Sequence, residues 1–370
     1  MARGRRLRIG VIFGGRSVEH DVSLVSARAI MSALDPSRYE VVPIAVTRAG
    51  RFAAFGARAL FRGDPAIGEL FRLAAARPAR GHRPAGRGRP LDVVFPIVHG
   101  TGGEDGSLQG LLMLAGVPFV GAGVLGSALG MDKAVMKTMF REAGLPITRH
   151  EVAAWDEYAA DPDAVADRME TALGYPCFIK PANGGSSVGV SKARDRRGLA
   201  AALRLAFRYD RKVIGEQAIG AREIECSVLG NERPEASVVG EIVPSREFYD
   251  YTAKYLDNRS RLIIPAPIDA AQETIVRDLA VRAFQVLDLA GLARVDFFLD
   301  RSNGAVLLNE VNTLPGFTPI SMYPKLWEAS GLPFPRLVDR LIELALERHA
   351  QRRTLVTAYT PRRGAGRRGA

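Results

Sequence analysis

The chain has 370 residues, of which 47% are hydrophobic and 25% charged, and its net charge is +11. This is the composition of a globular protein with two or three domains, and it excludes a chain without a packed core. Cys177 and Cys226, the only cysteines, each lie in an apolar strand-like run. Buried thiols in a reducing cytoplasm are therefore expected, not a disulfide or a nucleophile.

The positive charge is concentrated at the two ends of the chain. Four arginines lie within the first eight residues and seven lie from Arg348 to Arg368, while residues 72–89 add six more, so that the remaining body is mildly acidic. Basic ends rich in Gly and Pro bury too little apolar surface to order themselves, and they contact polyanions only weakly. We expect flexible ends, including a tail over residues 350–370, and no specific nucleic-acid partner.

The amino-terminal third has the pattern of an α/β domain. Apolar strands are predicted at residues 7–13, 41–46 and 92–98, with a helix at 22–34 for which Asp21 is the candidate cap. The Arg/Pro/Gly-rich residues 56–90 are expected to form a loose insertion. The first strand is too short for a signal-peptide core, so export is not expected.

Residues 110–131 contain no charge and reach the length of a membrane span. Six glycines and Pro118 interrupt them, so we expect a buried helix followed by a strand at 117–120. No membrane association is predicted, and the first domain is expected to end at residue 121.

Two further domains are predicted, a central one over residues 122–216 and a carboxyl-terminal one over 217–349. The central pattern is a helix at 132–143 and strands at 177–180, 188–191 and 213–216. The last domain combines strands with two helices, and its elements are expected at residues 223–228, 238–243, 271–287, 293–299, 305–311 and 335–349.

Two neighbouring strands near the carboxyl end carry hard oxygen ligands. If residues 293–299 and 305–311 pair as a hairpin, alternation places Asp296, Glu310 and Asn312 on one face beside Arg294. Carboxylates and an amide in this arrangement suit Mg²⁺, which is usually held by one or two carboxylates together with substrate phosphates. An acid-lined solvated hairpin is the alternative.

Other short motifs suit a nucleotide. Residues 180–189 (KPANGGSSVG) join two strands through small residues, whose amides can approach phosphate oxygens while Lys180 adds a charge. Lys133 starts a helix where it could face the same phosphates. Residues 216–219 end a buried strand, where backbone groups can read an adenine edge.

In this order the motifs resemble those of the ATP-grasp superfamily, and more narrowly the D-alanine–D-alanine ligases of peptidoglycan synthesis. The similarity covers about residues 9–346 and rests on residues 14–23 (GGRSVEHDVS), 99–110 (HGTGGEDGSLQG), 131–133 (MDK), 180–189, 249–255 (YDYTAKY), 294–296 (RVD) and 310–316 (EVNTLPG). It implies an α/β ATP-grasp fold of three domains, with a parallel sheet in the first.

The resemblance also assigns roles to individual residues. It places ATP against Lys133, Lys180, Gly185, Ser186, Ser187, Glu216, Gln217, Ala218, Ile219, Glu223 and Lys254. It implies that Asp296, Glu310 and Asn312 bind two Mg²⁺ ions, which Mn²⁺ can replace. D-Alanine is expected to contact Glu19, His99, Ser321 and Met322. Glu19, Ser186 and Tyr255 resemble a hydrogen-bonded trio that draws a lid over the site.

The implied reaction is the ATP-dependent joining of two D-alanines through an acyl phosphate, in a protein that is often a homodimer in this family. Arg294 and the Gly316 amide are the expected stabilisers of the oxyanion. Two alternatives stay open, a D-alanine–D-lactate ligase and a catalytically silent nucleotide-binding protein. Tyr255 argues against the first, because the lactate-using relatives lack it.

Overall fold

Three β-sheets organise the part of the chain that the structure describes. The structure, a computed structural model, describes residues 5–54, 90–244 and 261–356. The predicted insertion at 56–90, the segment that contains Lys254 and Tyr255, and most of the predicted tail lie outside these residues, save Pro90 and residues 350–356. The mixed α/β architecture predicted from the sequence is confirmed.

The first sheet belongs to the amino-terminal part of the chain. Its elements are β1 (Leu7–Gly14), α1 (His20–Ala33), β2 (Tyr39–Val46), β3 (Phe52–Ala54) and β4 (Val93–Ile97). The order is β3-β2-β1-β4, in which β1 runs parallel to β2 and β4, while β3 is antiparallel. The parallel strands are nearly continuous apolar runs, as expected for a sheet covered on both faces.

Two local predictions in this region are wrong. Asp21 does not cap α1, because the helix already begins at His20 and the Asp21 carboxylate accepts hydrogen bonds from Arg48 at 2.8 Å. Residues 117–120 form no strand. They make one bridge, in which Val94 donates to the Pro118 carbonyl, and Pro118 has no N–H with which to extend a ladder. Helices α2 (Ser107–Leu114) and α3 (Val124–Met131) flank this bridge.

The second sheet is antiparallel, in the order β5-β8-β6-β7. After α4 (Lys133–Glu142), its elements are β5 (His150–Ala154), α5 (Trp155–Ala160), α6 (Pro162–Leu173), β6 (Cys177–Pro181), β7 (Ser191–Ala193), α7 (Arg196–Ala206) and β8 (Lys212–Gln217). The strand predicted at 188–191 starts only at Ser191. The amides of Val188 and Val190 donate hydrogen bonds within turns, so the residues before Ser191 do not form a strand.

The third sheet has five antiparallel strands in the order β11-β10-β9-β12-β13. Its elements are β9 (Ala221–Gly230), β10 (Glu235–Val243), β11 (Arg261–Ile263), α8 (Ala270–Val286), β12 (Gly291–Asp300) and β13 (Val306–Asn312). The hairpin of β12 and β13 is confirmed, with Asp296 opposite Glu310 and Arg294 opposite Asn312.

Helix α4 packs on the third sheet and not on the second. Met136, Phe140 and Leu145 share a core with strands β9 and β12 and with helix α8. The Asp132 carboxylate caps α4 by accepting from the amides of Ala134 and Val135. The predicted central unit, which starts at residue 122, therefore includes helices whose core lies elsewhere, and the division at residues 121, 216 and 349 stays a proposal.

The last helices of the described residues are α9 (Met322–Ala329) and α10 (Phe334–Arg352). Helix α10 runs three residues past its predicted end, so the start of the predicted tail is helical. Both cysteines are buried free thiols, and burial, as the largest cause, raises the pKa of Cys226 to about 12. Within the described ranges, no helix is long and apolar enough to cross a membrane.

Candidate active site

One face of the third sheet gathers charged side chains from three adjacent strands. Glu225 on β9 lies opposite Asp296 on β12, which lies opposite Glu310 on β13. Arg294 and Asn312 occupy the next pair on the same face. Because side chains alternate along a strand, the register brings the three predicted metal ligands onto one surface, as their spacing indicated.

Arg294 organises this face. Its Nε and Nη2 donate to the two carboxylate oxygens of Asp296 at 2.7 Å, and Nε also lies 3.1 Å from Glu225 Oε2. Burial opposes the charge on the guanidinium, but the two carboxylates outweigh it and raise the pKa of Arg294. A bidentate pair fixes the plane of the guanidinium, so its remaining N–H groups keep a defined direction.

The glycine-rich loop reaches from the second sheet to the first domain. Ser186 donates a hydrogen bond of 2.5 Å to Glu19 Oε1, which lies just before helix α1. Ser186 and Ser187 have φ values of 52° and 58°, a conformation uncommon for residues other than glycine. A methyl group added at Gly185 would lie 2.9 Å from Glu19 Oε2. The loop and Glu19 therefore fit together closely.

Lysine side chains surround the loop. Lys133 Nζ donates to the Gly184 carbonyl at 2.7 Å and lies 3.6 Å from Glu310 Oε2. Lys180 Nζ lies 2.9 Å from Glu216 Oε2. Charges from the second and third sheets thus meet at the loop, as expected for a site that binds phosphates.

A cavity of about 440 Å³ lies between the second and third sheets. Its walls include the predicted nucleotide residues Lys133, Lys180, Gly185, Ser186, Ser187, Glu216, Gln217, Ala218, Ile219 and Glu223. The cavity is large enough for a nucleotide, and its walls combine apolar side chains such as Phe178, Ile219 and Phe297 with many charged ones.

Hydrogen bonds within the protein already use some of the groups of residues 216–219 that could bind a nucleotide. The Gln217 amide donates to the Arg149 carbonyl at 3.0 Å and the Ala218 amide to the Pro176 carbonyl at 3.1 Å. The Glu216 side chain turns to Lys180 and Lys137. These groups are engaged inside the protein.

A second cavity, of about 140 Å³, adjoins the first. It is lined by Glu19, His99, Ser186, Gly316, Ser321 and Met322 among others, and it shares Lys133, Ser186, Arg294 and Glu310 with the larger one. The predicted amino-acid residues are thus brought together next to the predicted nucleotide residues. Met322 is also a core residue, packed with Ile242 and Leu326.

His99 is held rigidly in the small cavity. Its Nδ1 lies 3.1 Å from the Leu314 carbonyl, and its Nε2 lies 3.5 Å from Ser26 Oγ. Burial disfavours the charged ring, but Glu104 and Glu19 reverse this and raise the pKa of His99. Glu104, whose carboxylate accepts from the Gly100 amide at 2.9 Å, was not predicted.

Three other residues of the site were missed from the sequence: Lys137, Glu225 and Asn309. Lys137 is four residues after Lys133, so helical spacing indicated that both face the same way. For Glu225, the alternation of side chains along β9 indicated the sheet face on which it lies. Asn309 is the extra residue of a bulge opposite Asp296 and Phe297, and its Oδ1 is a buried atom without a hydrogen-bond partner among the described residues.

The donor set fits a hard divalent cation that also contacts a ligand. Asp296, Glu310 and Asn312 offer two carboxylates and an amide oxygen on one face. Across residues 5–54, 90–244 and 261–356, no three carboxylate, imidazole or thiolate groups converge closely enough to hold an ion by themselves. Magnesium commonly takes one or two protein carboxylates and completes its shell with water and phosphate oxygens, so the residues present suit it.

A nucleotide-sized cavity joined to a small polar one, with lysines, an arginine and carboxylates between them, fits an ATP-dependent enzyme of the ATP-grasp class. Two family models match the chain, the D-ala D-ala ligase N-terminus over residues 8–122 and the D-ala D-ala ligase C-terminus over residues 139–343. The chain belongs to the D-alanine–D-alanine ligase family.

Individual relatives agree over nearly the whole length. A D-alanine–D-alanine ligase of Geobacillus kaustophilus is 48% identical, covering 96% of this chain and 98% of the relative. A D-alanine–D-alanine ligase from Thermoanaerobacter sp. is 50% identical, covering 93% of this chain and 98% of the relative.

Solved structures resemble this one closely. The D-alanine–D-alanine ligase from Coxiella burnetii has a TM-score of 0.78 and 37% identity, covering 94% of this chain and 96% of that one. The VanG D-Ala:D-Ser ligase from Enterococcus faecalis has a TM-score of 0.79 and 35% identity, covering 92% and 100%. ATP use with a divalent metal follows from family membership.

Proposed function

We propose that this protein joins two D-alanine molecules to D-alanyl-D-alanine, converting ATP to ADP and phosphate, for the synthesis of peptidoglycan precursors. The observation that carries the proposal is the common wall of the two cavities, whose polar side chains include Lys133, Ser186, Arg294 and Glu310. A phosphoryl group in the larger cavity and a carboxylate in the smaller one would meet at this wall.

The nucleotide would lie in the larger cavity. Because the amides of Gln217 and Ala218 are already bonded, the Ile219 amide and the carbonyls of residues 216–219 are the backbone groups assigned to the adenine edge. Glu223 is assigned to the ribose, and Lys133, Lys180 and the amides of Gly185 to Ser187 to the phosphates. Lys254 belongs to the same set but lies outside the described residues.

The first D-alanine would lie in the smaller cavity with its ammonium at Glu19. Ser186 holds the Glu19 carboxylate through its hydroxyl, and His99 lines the pocket. The second D-alanine would present its carboxylate to the Ser321 hydroxyl and the Met322 amide at the start of α9. Tyr255, outside the described residues, is assigned to the lid that excludes water.

The chemistry needs no protein nucleophile. The carboxylate of the first D-alanine accepts the γ-phosphoryl group of ATP, and the amine of the second attacks the acyl phosphate, expelling phosphate. Arg294 and the Gly316 amide would donate to the developing oxyanion, and the rigid pairing of Arg294 with Asp296 preorganises that donor. Holding the reactants together at one wall would lower the barrier further, because their orientation is fixed before the reaction begins.

Asp296, Glu310 and Asn312 would hold the metal against the phosphates. Bound divalent ions supply charge neutralisation for the transferring phosphoryl group. The proposal also includes two Mg²⁺ ions, for which Mn²⁺ can substitute. It further includes a homodimeric state and a cytoplasmic location. The buried free thiols suit a reducing compartment.

The test is a product assay with purified protein, ATP, Mg²⁺ and D-alanine, in which phosphate is measured and the dipeptide is identified by mass. We expect one phosphate for each D-alanyl-D-alanine and no release above background without D-alanine. Parallel reactions with D-alanine plus D-serine or D-lactate identify a ligase with another acceptor. Phosphate release independent of any amino acid would contradict ligation, and no release at all would favour a silent nucleotide-binding protein.

A further inference from the structure

A fully buried lysine lies behind the nucleotide cavity and has no place in the scheme above. Lys137 is 0% exposed, and its Nζ lies 3.2 Å from Glu216 Oε1 and 3.3 Å from Thr148 Oγ1. The other oxygen of the same carboxylate lies 2.9 Å from Lys180 Nζ. One buried carboxylate is therefore shared by two ammonium groups, of which Lys180 alone lines the cavity.

We propose that Lys137 is a positioning residue that engages Glu216 from behind and so leaves the charge of Lys180 available to the phosphates of the nucleotide. The inference rests on the proposed ATP site and deepens it. Lys137 touches no ligand in this scheme, and it acts through Glu216.

Charge counting gives the physical reason. Burial lowers the pKa of Lys137, the neighbouring Glu216 carboxylate opposes this shift, and the charge of Lys180 adds to it. With both lysines protonated, two ammonium groups and one carboxylate leave a single positive charge at this place, and the cavity is the side on which a ligand can meet it. Without Lys137, Glu216 and Lys180 would form a neutral pair and leave no net charge for a ligand. In a water-poor interior that difference is large, because Coulomb interactions are weakly screened there.

The ionisation of the neighbours supports this account. Burial opposes the charge on Glu216, but Lys137 and Lys180 together lower its pKa to about 2. Burial also opposes the charge on Lys180, yet Glu216 outweighs it and the pKa of Lys180 is raised. Burial, followed by the charge of Lys137, lowers the pKa of His150, so the imidazole adds no charge at neutral pH.

The position of Lys137 on α4 explains how its ammonium group reaches Glu216. Lys133 and Lys137 are four residues apart and so lie on one side of the helix, with Lys133 at the glycine-rich loop and Lys137 one turn deeper. Met136 and Phe140 fix the same helix in the core of the third sheet. The Lys137 ammonium is therefore delivered to the second sheet by an element anchored in the third.

The test compares nucleotides that differ only in their phosphates. Dissociation constants for ATP, ADP and adenosine are measured by calorimetry in the presence of Mg²⁺, for the full chain and for Lys137→Met and Lys137→Gln. The glutamine variant keeps a hydrogen-bond donor but not the charge, and it provides a second route if the methionine variant does not fold. Lys325→Met, on α9 outside both cavities, controls for the loss of one lysine.

We expect either neutral variant to bind ATP on the order of tenfold more weakly, the scale of one charge-assisted contact, while adenosine binding changes less than about twofold. The KM for ATP should rise and the KM for D-alanine should stay the same. Adding Glu216→Gln to Lys137→Met frees Lys180 again and should recover ATP binding to within about threefold.

Equal losses for ATP and adenosine, or a double variant no better than the single one, would overturn the inference and make Lys137 a purely structural residue. Unchanged ATP binding in both single variants would do the same. If the unaltered protein fails to bind ATP, the proposed function itself falls, and that result is distinct from the others.

Discussion

Arg294 and Glu310 show how differently two charged groups on the same sheet face are held. Arg294 is tied to Asp296 and Glu225 within the sheet, whereas Glu310 lies at the edge of the face, 3.6 Å from Lys133 Nζ. Removing Asp296 therefore disturbs a largely buried pair, and removing the charge of Glu310 changes mainly what faces the cavities. The two acids can be separated by experiment.

Both Glu310→Gln and Asp296→Ala should lower D-alanine-dependent ADP release by about 100-fold or more, because each removes a carboxylate assigned to the metal. Only Asp296→Ala should also lower the free energy of unfolding, by on the order of 2 kcal/mol, since Arg294 then keeps Glu225 alone. A coupled ADP assay and urea unfolding measure the two effects. Full turnover of Glu310→Gln would remove that residue from the metal site.

At the scale of elements, the glycine-rich loop is the part of the structure that sequence spacing alone could not place. Its small residues predicted a phosphate turn, but its contact with Glu19 joins positions 167 residues apart. The hairpin was predictable, because alternation along two adjacent strands fixes a face. The packing of α4 on the third sheet was not, because an apolar helical stripe does not specify which sheet covers it.

The candidate site also contains some residues that could be predicted from the sequence and others that could not. Residues within short motifs, such as Asp296, Glu310 and Lys180, could be found from their chemistry. Lys137 and Glu104 could not, because a lysine on a helix or an acid in a turn is usually solvated, and only the tertiary structure buries Lys137 fully and encloses Glu104 beside His99. Helical spacing placed Lys137 on the side of Lys133, but neither spacing nor composition reveals that Lys137 meets Glu216 or that Glu104 meets His99.

Gly185→Ala tests the fit between loop and carboxylate. The added methyl would lie 2.9 Å from Glu19 Oε2, and the end of a side chain can shift, so the protein should still fold. We expect the KM for D-alanine to rise about tenfold or more while the free energy of unfolding changes by less than about 1 kcal/mol.

The matched control is Gly123→Ala, where an added methyl meets nothing within 4 Å. It should leave steady-state kinetics unchanged. Equal KM values for D-alanine in Gly185→Ala and the unaltered protein would show that the loop does not position Glu19.

At the scale of the whole molecule, the last helix returns to the first domain. Leu337, Leu341 and Leu344 of α10 share a core with β1 and α1. Arg348 donates to the carbonyls of Phe119 and Gly121 and lies over the Phe119 ring, and burial lowers its pKa to about 10. This arginine, counted with the basic tail in the sequence, is part of the fold.

Asp339 connects the same two parts through polar contacts. Its carboxylate accepts from Tyr39 Oη at 2.8 Å and from Arg38, and Tyr39 is 3% exposed. Asp339→Ala should lower the free energy of unfolding by about 2–3 kcal/mol, because the buried hydroxyl loses its partner. Urea unfolding measures this effect.

Glu343→Ala, one turn along α10 and exposed, is the control and should change the free energy of unfolding by less than about 0.5 kcal/mol. Adding Tyr39→Phe to Asp339→Ala should cause little further loss. Fully additive effects of these two substitutions would argue against their coupling.

The shared core of α10 and the first sheet sets an order of events during synthesis. The ribosome delivers β1 and β4 long before residues 334–352, so the earliest strands emerge without the surface that will cover them. Until residues 334–352 leave the exit tunnel, the amino-terminal part presents an apolar side to the cell. Completion of the first domain must therefore wait until this helix has been synthesised.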